Sequence, residues 1–241
     1  MLAIFSDVHA NLEAFQKVLE DMQEHDVSER IGLGDAIGYG PDPEAVVRLL
    51  MSEEIPSVLG NHEMVVKEPA RMSWFNPGAR ESLHWTIAQL SPETKAFIQT
   101  RLPRFLLRQG LRFVHGYPPQ STTTYLYALG PDKLTRDMRS MDEDVCFVGH
   151  THELELVCFD GIRAERFPLG RGVLRLEKGK KYLINVGSVG QPRDGDNRAK
   201  YVLYDPVQRV LEVRYIAYDN TATYRKMIEK NLPRQYAERL R

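Results

Sequence analysis

Seven candidate metal ligands fall in five short blocks along this chain: Asp7 and His9 in Asp7-Val8-His9, Asp35 in Gly34-Asp35, Asn61 in Gly60-Asn61-His62-Glu63, His115 in Val114-His115-Gly116, and His150 and His152 in Gly149-His150-Thr151-His152. Each block follows an apolar run, so each falls where a strand should end, and open α/β sheets bind ligands beyond the carboxyl ends of their strands. Alternate residues of an extended chain point to one side, so Asp7 with His9, and His150 with His152, are expected to present two ligands each in one direction. Carboxylate and amide oxygens combined with imidazole nitrogen suit Mn, Fe, Zn, Ni or Co, and the lack of thiolate argues against a structural zinc or iron–sulfur site. A lone histidine at a strand end is more often simply hydrogen-bonded, and Asp after Gly is commonly turn chemistry. The weight lies in the set, together with neighbouring glycines that allow backbone and metal to approach closely. The other charged residues read differently. His25, near the end of a helical stretch, reads as a solvated cation favoured by the helix dipole, His84 beside Trp85 as helix packing, and Lys178-Gly179-Lys180-Lys181 as a solvated hairpin turn.

The elements that must position these blocks show as hydrophobic periodicity. Leu2 to Phe5 reads as a strand, and Leu12, Phe15, Val18, Leu19 and Met22 recur at helical spacing. Ile31 and Leu33 belong to a second strand, Asp42-Pro43 has the residues of an N-cap and first turn, Val46, Val47, Leu49 and Leu50 form the next stripe, and Pro56 to Leu59 supplies a third strand. This βαβαβ order predicts a parallel sheet. Asn76-Pro77 and Ser91-Pro92 each start a helix, which predicts a helical insertion around residues 72–102. Beyond Arg104 the pattern predicts a second, largely antiparallel sheet with turns at Gln109-Gly110, Asp160-Gly161 and Lys178-Gly179, and one helix near Asp132 to Met141. Thr221 to Leu240, broken by Pro233, predicts two short outer helices. No repeat or linker interrupts the chain, so one two-sheet domain over residues 1–241 is expected.

Composition narrows the function classes. The 241 residues carry 32 Lys+Arg against 33 Asp+Glu, a formal net charge of −1, which argues against a nucleic-acid groove with its clustered cations. The longest stretch without Lys, Arg, Asp or Glu, Phe113 to Pro131, is too rich in Pro, Thr and Gly to cross a membrane, so no membrane partner is expected. The start Met1-Leu2-Ala3-Ile4-Phe5 lacks a basic region and a long apolar core, so no secretory signal is expected. Cys146 and Cys158, each in an apolar run, read as buried thiols of a cytoplasmic protein.

Order, intervals and placement of the five blocks resemble the signature of the calcineurin-like metallophosphoesterase superfamily over most of the chain. More narrowly, Ser6-Asp7-Val8-His9-Ala10-Asn11, Gly38-Tyr39-Gly40-Pro41-Asp42-Pro43 and Asn185-Val186-Gly187-Ser188-Val189-Gly190-Gln191-Pro192-Arg193 resemble its small prokaryotic phosphodiesterase-like branch. The resemblance implies an α/β fold, a four-layer α/β/β/α sandwich of two mixed sheets with flanking helices. It also implies two divalent ions, the first held by Asp7, His9 and His152, the second by Asn61, His115 and His150, with Asp35 between them. A carboxylate has two oxygens and suits bridging, whereas an amide offers one useful acceptor. The implied reaction is in-line attack of a metal-bridging hydroxide on a small-molecule phosphate ester, most of all a phosphodiester. His62 follows a ligand but points elsewhere in an extended turn, and the resemblance assigns it transition-state stabilisation or leaving-group protonation.

The sequence also departs from the pattern. The second block reads Gly34-Asp35-Ala36-Ile37-Gly38-Tyr39-Gly40, where Ser/Thr protein phosphatases and diadenosine tetraphosphatases carry an Arg-Gly, and Tyr39 cannot replace that guanidinium fork. Glu63 stands where the small bacterial relatives have Asp, a longer acid that could still orient His62. Arg193 and Arg198, around the loop Asp194-Gly195-Asp196-Asn197, are candidates for the missing phosphate contact or for a plain surface loop. Trp74, Phe75, Trp85, Tyr117, Tyr125 and Tyr127 are candidates for the lip of the site or for the core. Three classes fit this set: a dimetal phosphodiesterase; a nuclease or phosphomonoesterase on the same centre; and a metal-binding scaffold, disfavoured because every ligand position is filled.

Overall fold

Strand β1 (Leu2–Phe5) is buried along its whole length because both faces are covered. Leu2 and Ile4 join a cluster with Phe113, Phe147 and Ile184, while Ala3 and Phe5 join another with Phe15, Val18 and Tyr201. That alternation is the signature of a strand between two layers. The computed structural model describes residues 1–241. Helix α1 (Leu12–Gln23) is capped by Asn11, which accepts from the Ala14 amide at 3.1 Å; β2 (Glu29–Gly32) and α2 (Pro43–Ser52) follow. Helix α3 (Asn61–Lys67), a 3-10 segment (Pro69–Trp74), α4 (Pro77–Gln89) and α5 (Pro92–Arg101) come next, and Asn76 and Ser91 cap the last two as their Asn-Pro and Ser-Pro starts predict.

The remainder supplies β3 (Phe105–Arg108), β4 (Leu111–Val114), α6 (Pro131–Ser140), β5 (Val145–Val148), β6 (Leu154–Phe159), β7 (Ala164–Pro168), β8 (Gly172–Arg175), β9 (Lys181–Val186), β10 (Ala199–Asp205), β11 (Val210–Ile216), α7 (Asn220–Glu229) and α8 (Arg234–Ala237). One sheet has the order β2-β1-β10-β11-β8 and the other β3-β4-β5-β9-β6-β7. Their facing sides bury the Leu2 and Phe113 cluster. Helix α1 covers the outer face of the first sheet, and Leu134 and Met138 of α6 cover the outer face of the second against Val148 and Leu183. The architecture is the four-layer α/β/β/α sandwich of two mixed sheets.

Several local expectations change. The first sheet is parallel only between β1 and β2; β10 pairs antiparallel with β1, so strands from the far end of the chain complete it. Pro56 to Leu59 forms a single parallel bridge, Gly32 to Ser57, because the Leu59 amide leaves the sheet to bond Pro103 O at 2.8 Å and α3 begins at once. Asp42 makes no cap bond; its carboxylate is taken by Lys226 and Lys230. The Lys178-Gly179 turn is no hairpin, since β8 and β9 lie in different sheets. His84 is exposed, His25 is half-buried with Nε2 3.8 Å from Asp21, and the two free cysteines divide into a buried Cys146 and a half-buried Cys158.

Asp21 fastens α1 to its sheet: it accepts from Tyr201 Oη at 2.6 Å and, through both oxygens, from Arg214 at 2.7 and 3.1 Å. Burial opposes its charge, but the hydrogen bonds from Arg214 and Tyr201 outweigh burial and hold the carboxyl below its ordinary value. A depressed acid contributes stability above its unfolded pKa, near 4, and loses it as pH falls through the lower folded value. Asp21→Asn is expected to cost about 1–2 kcal/mol at pH 7 and to flatten the acid limb of the stability curve below about pH 4, measured by urea unfolding across pH. An acid limb identical to wild type would contradict this assignment.

Candidate metal centre

Asp7 and His9 follow β1, Asp35 follows β2, His115 follows β4, and His150 and His152 follow β5. Strands β1 and β2 are parallel, as are β4 and β5, so four carboxyl ends, two from each sheet, deliver their loops to one edge of the sandwich. The loops are not extended. Asp7, His9, Asp35, His150 and His152 all lie in the left-handed region, with φ of 54°, 47°, 52°, 69° and 64°. Each such residue costs about 1 kcal/mol or more, so five together store roughly 5 kcal/mol. Cross-loop bonds hold them: the amides of Asp7, His9 and Ala10 bond Gly34 O, Asp35 O and Ala36 O at 2.8–3.1 Å, and Gly190 N and Ser188 Oγ bond Asp7 O at 2.9 and 2.8 Å.

Three histidines have their tautomer fixed by the backbone. His9 Nδ1 meets Ile37 O at 3.0 Å, His115 Nδ1 meets Leu33 O at 2.8 Å and His152 Nδ1 meets Gln191 O at 2.6 Å. A carbonyl only accepts, so each Nδ1 carries a proton and each Nε2 is turned inward, where it offers a lone pair whenever the ring is neutral. His9 Nε2 and His152 Nε2 then face each other at 3.0 Å, with Asp7 Oδ1 3.6 and 3.2 Å away. His115 Nε2 lies 3.1 Å from His150 Nδ1, 3.0 Å from Asn61 Oδ1 and 3.3 Å from Asp35 Oδ2. Each carboxylate has one oxygen tied down: Asp7 Oδ2 accepts from His150 N and Asp35 Oδ1 from His62 N, both at 3.0 Å. The other oxygens, Asp7 Oδ1 and Asp35 Oδ2, face the imidazoles, and Asp7 Oδ1 has no hydrogen-bond partner. Asp35 Oδ2 stands 3.7 Å from His9 and 3.3 Å from His115, so a single oxygen faces both groups. These residues form the overlapping sets Asp7-His9-His152, His9-Asp35-His62 and Asp35-His115-His150, all buried and each able to hold an ion.

The electrostatics follow from burial. Desolvation lowers His150 to about 3 and His152 to about 4, so both stay neutral. His115 runs the other way: burial opposes its charge, but the charge and hydrogen bond of Asp35 lift it to about 9. Burial also works against Asp7, yet His152 and His9 hold it well below the carboxylate range. The cluster draws positive charge between its donors.

Asn61 and His62 do not lie in an extended turn; they open helix α3, which is why neighbouring residues face different ways. His62 fits because Gly38, at φ 89°, has no side chain: a Cβ there would sit 2.0 Å from His62 Nδ1. Its ring is bounded by His9, Tyr39 and Phe75, with centroids 4.8, 4.7 and 5.0 Å away, and Nε2 faces Asp35 Oδ2 at 3.9 Å. Glu63 does not touch that imidazole. It accepts from the amides of Asp35, Ile37 and Gly60 at 2.8, 3.2 and 3.0 Å, and so braces the Asp35 loop. Burial, then the Asp35 charge, push its carboxyl up to about 7.

A cavity of about 190 Å³ opens beside Asn61 and His150, walled by Tyr39, Trp74, Phe75 and Tyr125. Tyr125 stacks on His150 at 4.0 Å. Trp85 and Tyr117 pack in hydrophobic clusters instead, and Tyr127 is exposed. Arg193 comes to the site: its amide bonds His152 O at 3.3 Å, its charge acts on Tyr39, Tyr125 and His152, and its Nε is buried without a partner. Arg198 does not; its guanidinium binds Asp196 at 2.5–3.1 Å and covers the Tyr215 ring. Sequence reasoning missed Tyr39 as a wall and Glu63 as a brace. The Gly-Tyr-Gly spacing was the available signal for the first.

The profile of the calcineurin-like phosphoesterase superfamily domain matches residues 1–209. The uncharacterised protein MJ0912 of Methanocaldococcus jannaschii is 33% identical over 246 aligned positions, covering 100% of this chain and 97% of that one. A crystal structure of a metallophosphoesterase from Sphaerobacter thermophilus superposes with a TM-score of 0.83 at 33% identity, covering 99% of this chain and 97% of the other. The protein PH1004 of Pyrococcus horikoshii shares the fold, with a TM-score of 0.78 at 16% identity and 100% and 98% coverage.

Glu63→Ala would strip three buried amides of their acceptor. It is expected to lower the urea midpoint by the equivalent of about 2–3 kcal/mol, with Glu63→Gln between it and wild type. A Glu63→Ala midpoint equal to wild type would remove the bracing role.

Proposed function

The chain belongs to the calcineurin-like phosphoesterase superfamily and is a metal-dependent phosphoric ester hydrolase; from that premise we propose a dimetal phosphodiesterase acting on a small-molecule diester, with residues 1–241 as its single domain. The observation that carries this reading is the pair His9 Nε2 and His152 Nε2, 3.0 Å apart with both Nδ1 protons committed to carbonyls. Two lone pairs at that distance repel, and a cation among them and Asp7 turns repulsion into coordination. His150 Nδ1 and Asn61 Oδ1 both lie within 3.1 Å of His115 Nε2, and a cation there would take the place of the proton that Asp35 favours on His115. The residues fit the implied ions: Asp7, His9 and His152 would hold one, Asn61, His115 and His150 the other, and Asp35 would serve both. When bound, divalent ions in such a centre act as Lewis acids, neutralising phosphoryl charge and lowering the pKa of water.

The chain's own residues do the rest. The tethered Asp7 and Asp35 keep their free oxygens aimed inward without reorganisation during the reaction. His62, held by the gap over Gly38 and three rings and kept neutral by burial, which lowers it to about 3, places Nε2 to stabilise the leaving oxygen. Arg193, with an unpartnered Nε, adds one cation at the rim. The cavity beside Asn61 and His150, walled by Tyr39, Trp74, Phe75 and Tyr125, gives the second ester group of a diester a place. A nuclease reading is weakened by the net charge of −1. No helix is long and apolar enough to cross a membrane, and two free cysteines support a reducing, cytoplasmic setting.

Bis(p-nitrophenyl) phosphate with Mn²⁺-loaded protein provides the test. Wild type is expected to hydrolyse it while holding two ions per chain by elemental analysis. Asp35→Asn and His150→Ala are expected to lose metal and activity together, and His62→Ala to keep both ions while kcat falls about 10²–10⁴-fold. Wild-type protein that holds no first-row metal, or hydrolyses no diester with any of them, defeats the proposal.

A further inference from the structure

The matched family profile ends at residue 209, yet the segment beyond it folds back on the loops that build the centre. Tyr218 Oη and Thr223 Oγ1 hold both ends of the Asn11 amide, at 3.1 and 3.0 Å, just after the Asp7-His9 loop. Lys226 reaches Asp42 at 2.8 Å and Glu13 at 2.5 Å, and Lys230 reaches Asp42 at 3.2 Å and Pro41 O at 2.7 Å. Those two lysines fasten the end of the loop that carries Tyr39. Tyr39 is a bulky residue at φ 61°, a conformation that such a side chain keeps only when its surroundings impose it. Its amide donates to Ser82 Oγ at 2.8 Å, and its ring rests on Tyr236 at 4.4 Å. Tyr236 Oη also meets Asn76 Oδ1 at 3.4 Å, and a Cβ on Gly78 would collide with Gln235 at 2.4 Å, so α8 lies tight against the first turn of α4. Tyr39, Asn76 and Ala79 all line the cavity beside Asn61 and His150.

We propose that residues 218–240 are a strap that determines substrate fit, with Tyr236 the positioning residue that presses Tyr39 into place as the cavity wall. The role rests on the phosphodiesterase reading, because that reading makes this cavity the seat of an ester group. Tyr236 lies behind the wall and touches no candidate ligand, so its loss should let Tyr39 relax and loosen binding while the reaction centre stays assembled.

The full-length protein loaded with Mn²⁺ is compared as wild type, Tyr236→Ala, Tyr236→Leu and Tyr236→Phe. The readouts are KM and kcat on bis(p-nitrophenyl) phosphate, the Kd of the non-hydrolysable phenylphosphonate by calorimetry, and metal content. Tyr236→Ala is expected to raise KM and the phenylphosphonate Kd about tenfold, the scale of losing a well-packed aromatic contact, with kcat within about twofold and two ions retained. Tyr236→Phe keeps the ring and is expected to stay within about twofold of wild type throughout. Tyr236→Leu fills the space should the alanine variant not fold, and is expected to shift KM in the same direction. Unchanged KM and Kd in the folded Ala or Leu variant overturn the strap, as does a fall in kcat and metal content at constant KM. If wild type binds phenylphosphonate but hydrolyses no diester, the phosphodiesterase reading fails while the Kd comparison still decides the strap.

Discussion

Neutral imidazoles repel when their bare nitrogens meet, and this molecule forces such a meeting inside one cleft. The cause is the backbone. Ile37 and Gln191 present carbonyls that can only accept, so neutral His9 and His152 must turn their Nε2 lone pairs toward each other and toward Asp7, while Leu33 turns His115 Nε2 toward Asp35 in the same way. A buried polar atom without a partner costs about 1–3 kcal/mol, and Asp7 Oδ1 and His150 Nε2 are both left in that state by protein contacts alone. An arrangement this unfavourable for neutral groups becomes favourable around cations, and the carbonyls make it persist.

Geometry of this kind needs a stiff frame. Two parallel strand pairs, β1 with β2 and β4 with β5, bring the loops to one edge, and the apolar layer between the sheets fixes the pairs relative to each other. Close packing resists even methylene-sized changes, so that layer transmits position across the sandwich. The left-handed residues of the loops then store roughly 5 kcal/mol, a sizeable share of the 5–15 kcal/mol by which a domain is stable. Hydrogen bonds between loops and the brace from Glu63 are what keep that strain from relaxing.

The strand ends and the helices with Asn-Pro or Ser-Pro starts were legible in the sequence because hydrophobic period and capping chemistry are local. The convergence of Asp7, His9, Asp35, Asn61, His115, His150 and His152 was legible through the order and intervals of their blocks. The reason offered for their shared direction was not the operative one. Alternation along an extended chain was expected to aim Asp7 with His9 and His150 with His152, whereas left-handed backbone does so, and that conformation depends on bonds to loops far along the chain. The same limit hid the antiparallel β10 beside β1, the shrinkage of the third strand to one bridge, and the capture of Asp42 by Lys226 and Lys230. Partners distant along the chain leave no trace in local pattern.

Charge around the cleft follows a related logic. Lys200 is fully buried, and an ammonium there is tolerable only with close partners; it has Asp194 at 2.7 Å and the Asp196 carbonyl. Arg198 uses its fork on Asp196. The Asp194-Gly195-Asp196-Asn197 loop therefore spends its acids on its own bases, which fixes the chain immediately after Arg193 while leaving Arg193 Nε uncommitted. Of two arginines that looked equivalent in sequence, the fold consumes one as a fastener and frees the other beside His152. With Arg71 likewise engaged by Glu68 at 2.5 Å, positive charge near an incoming phosphate comes chiefly from what the seven donors hold. That balance ties the charge of the cleft to the same carbonyl-directed imidazoles that define the centre.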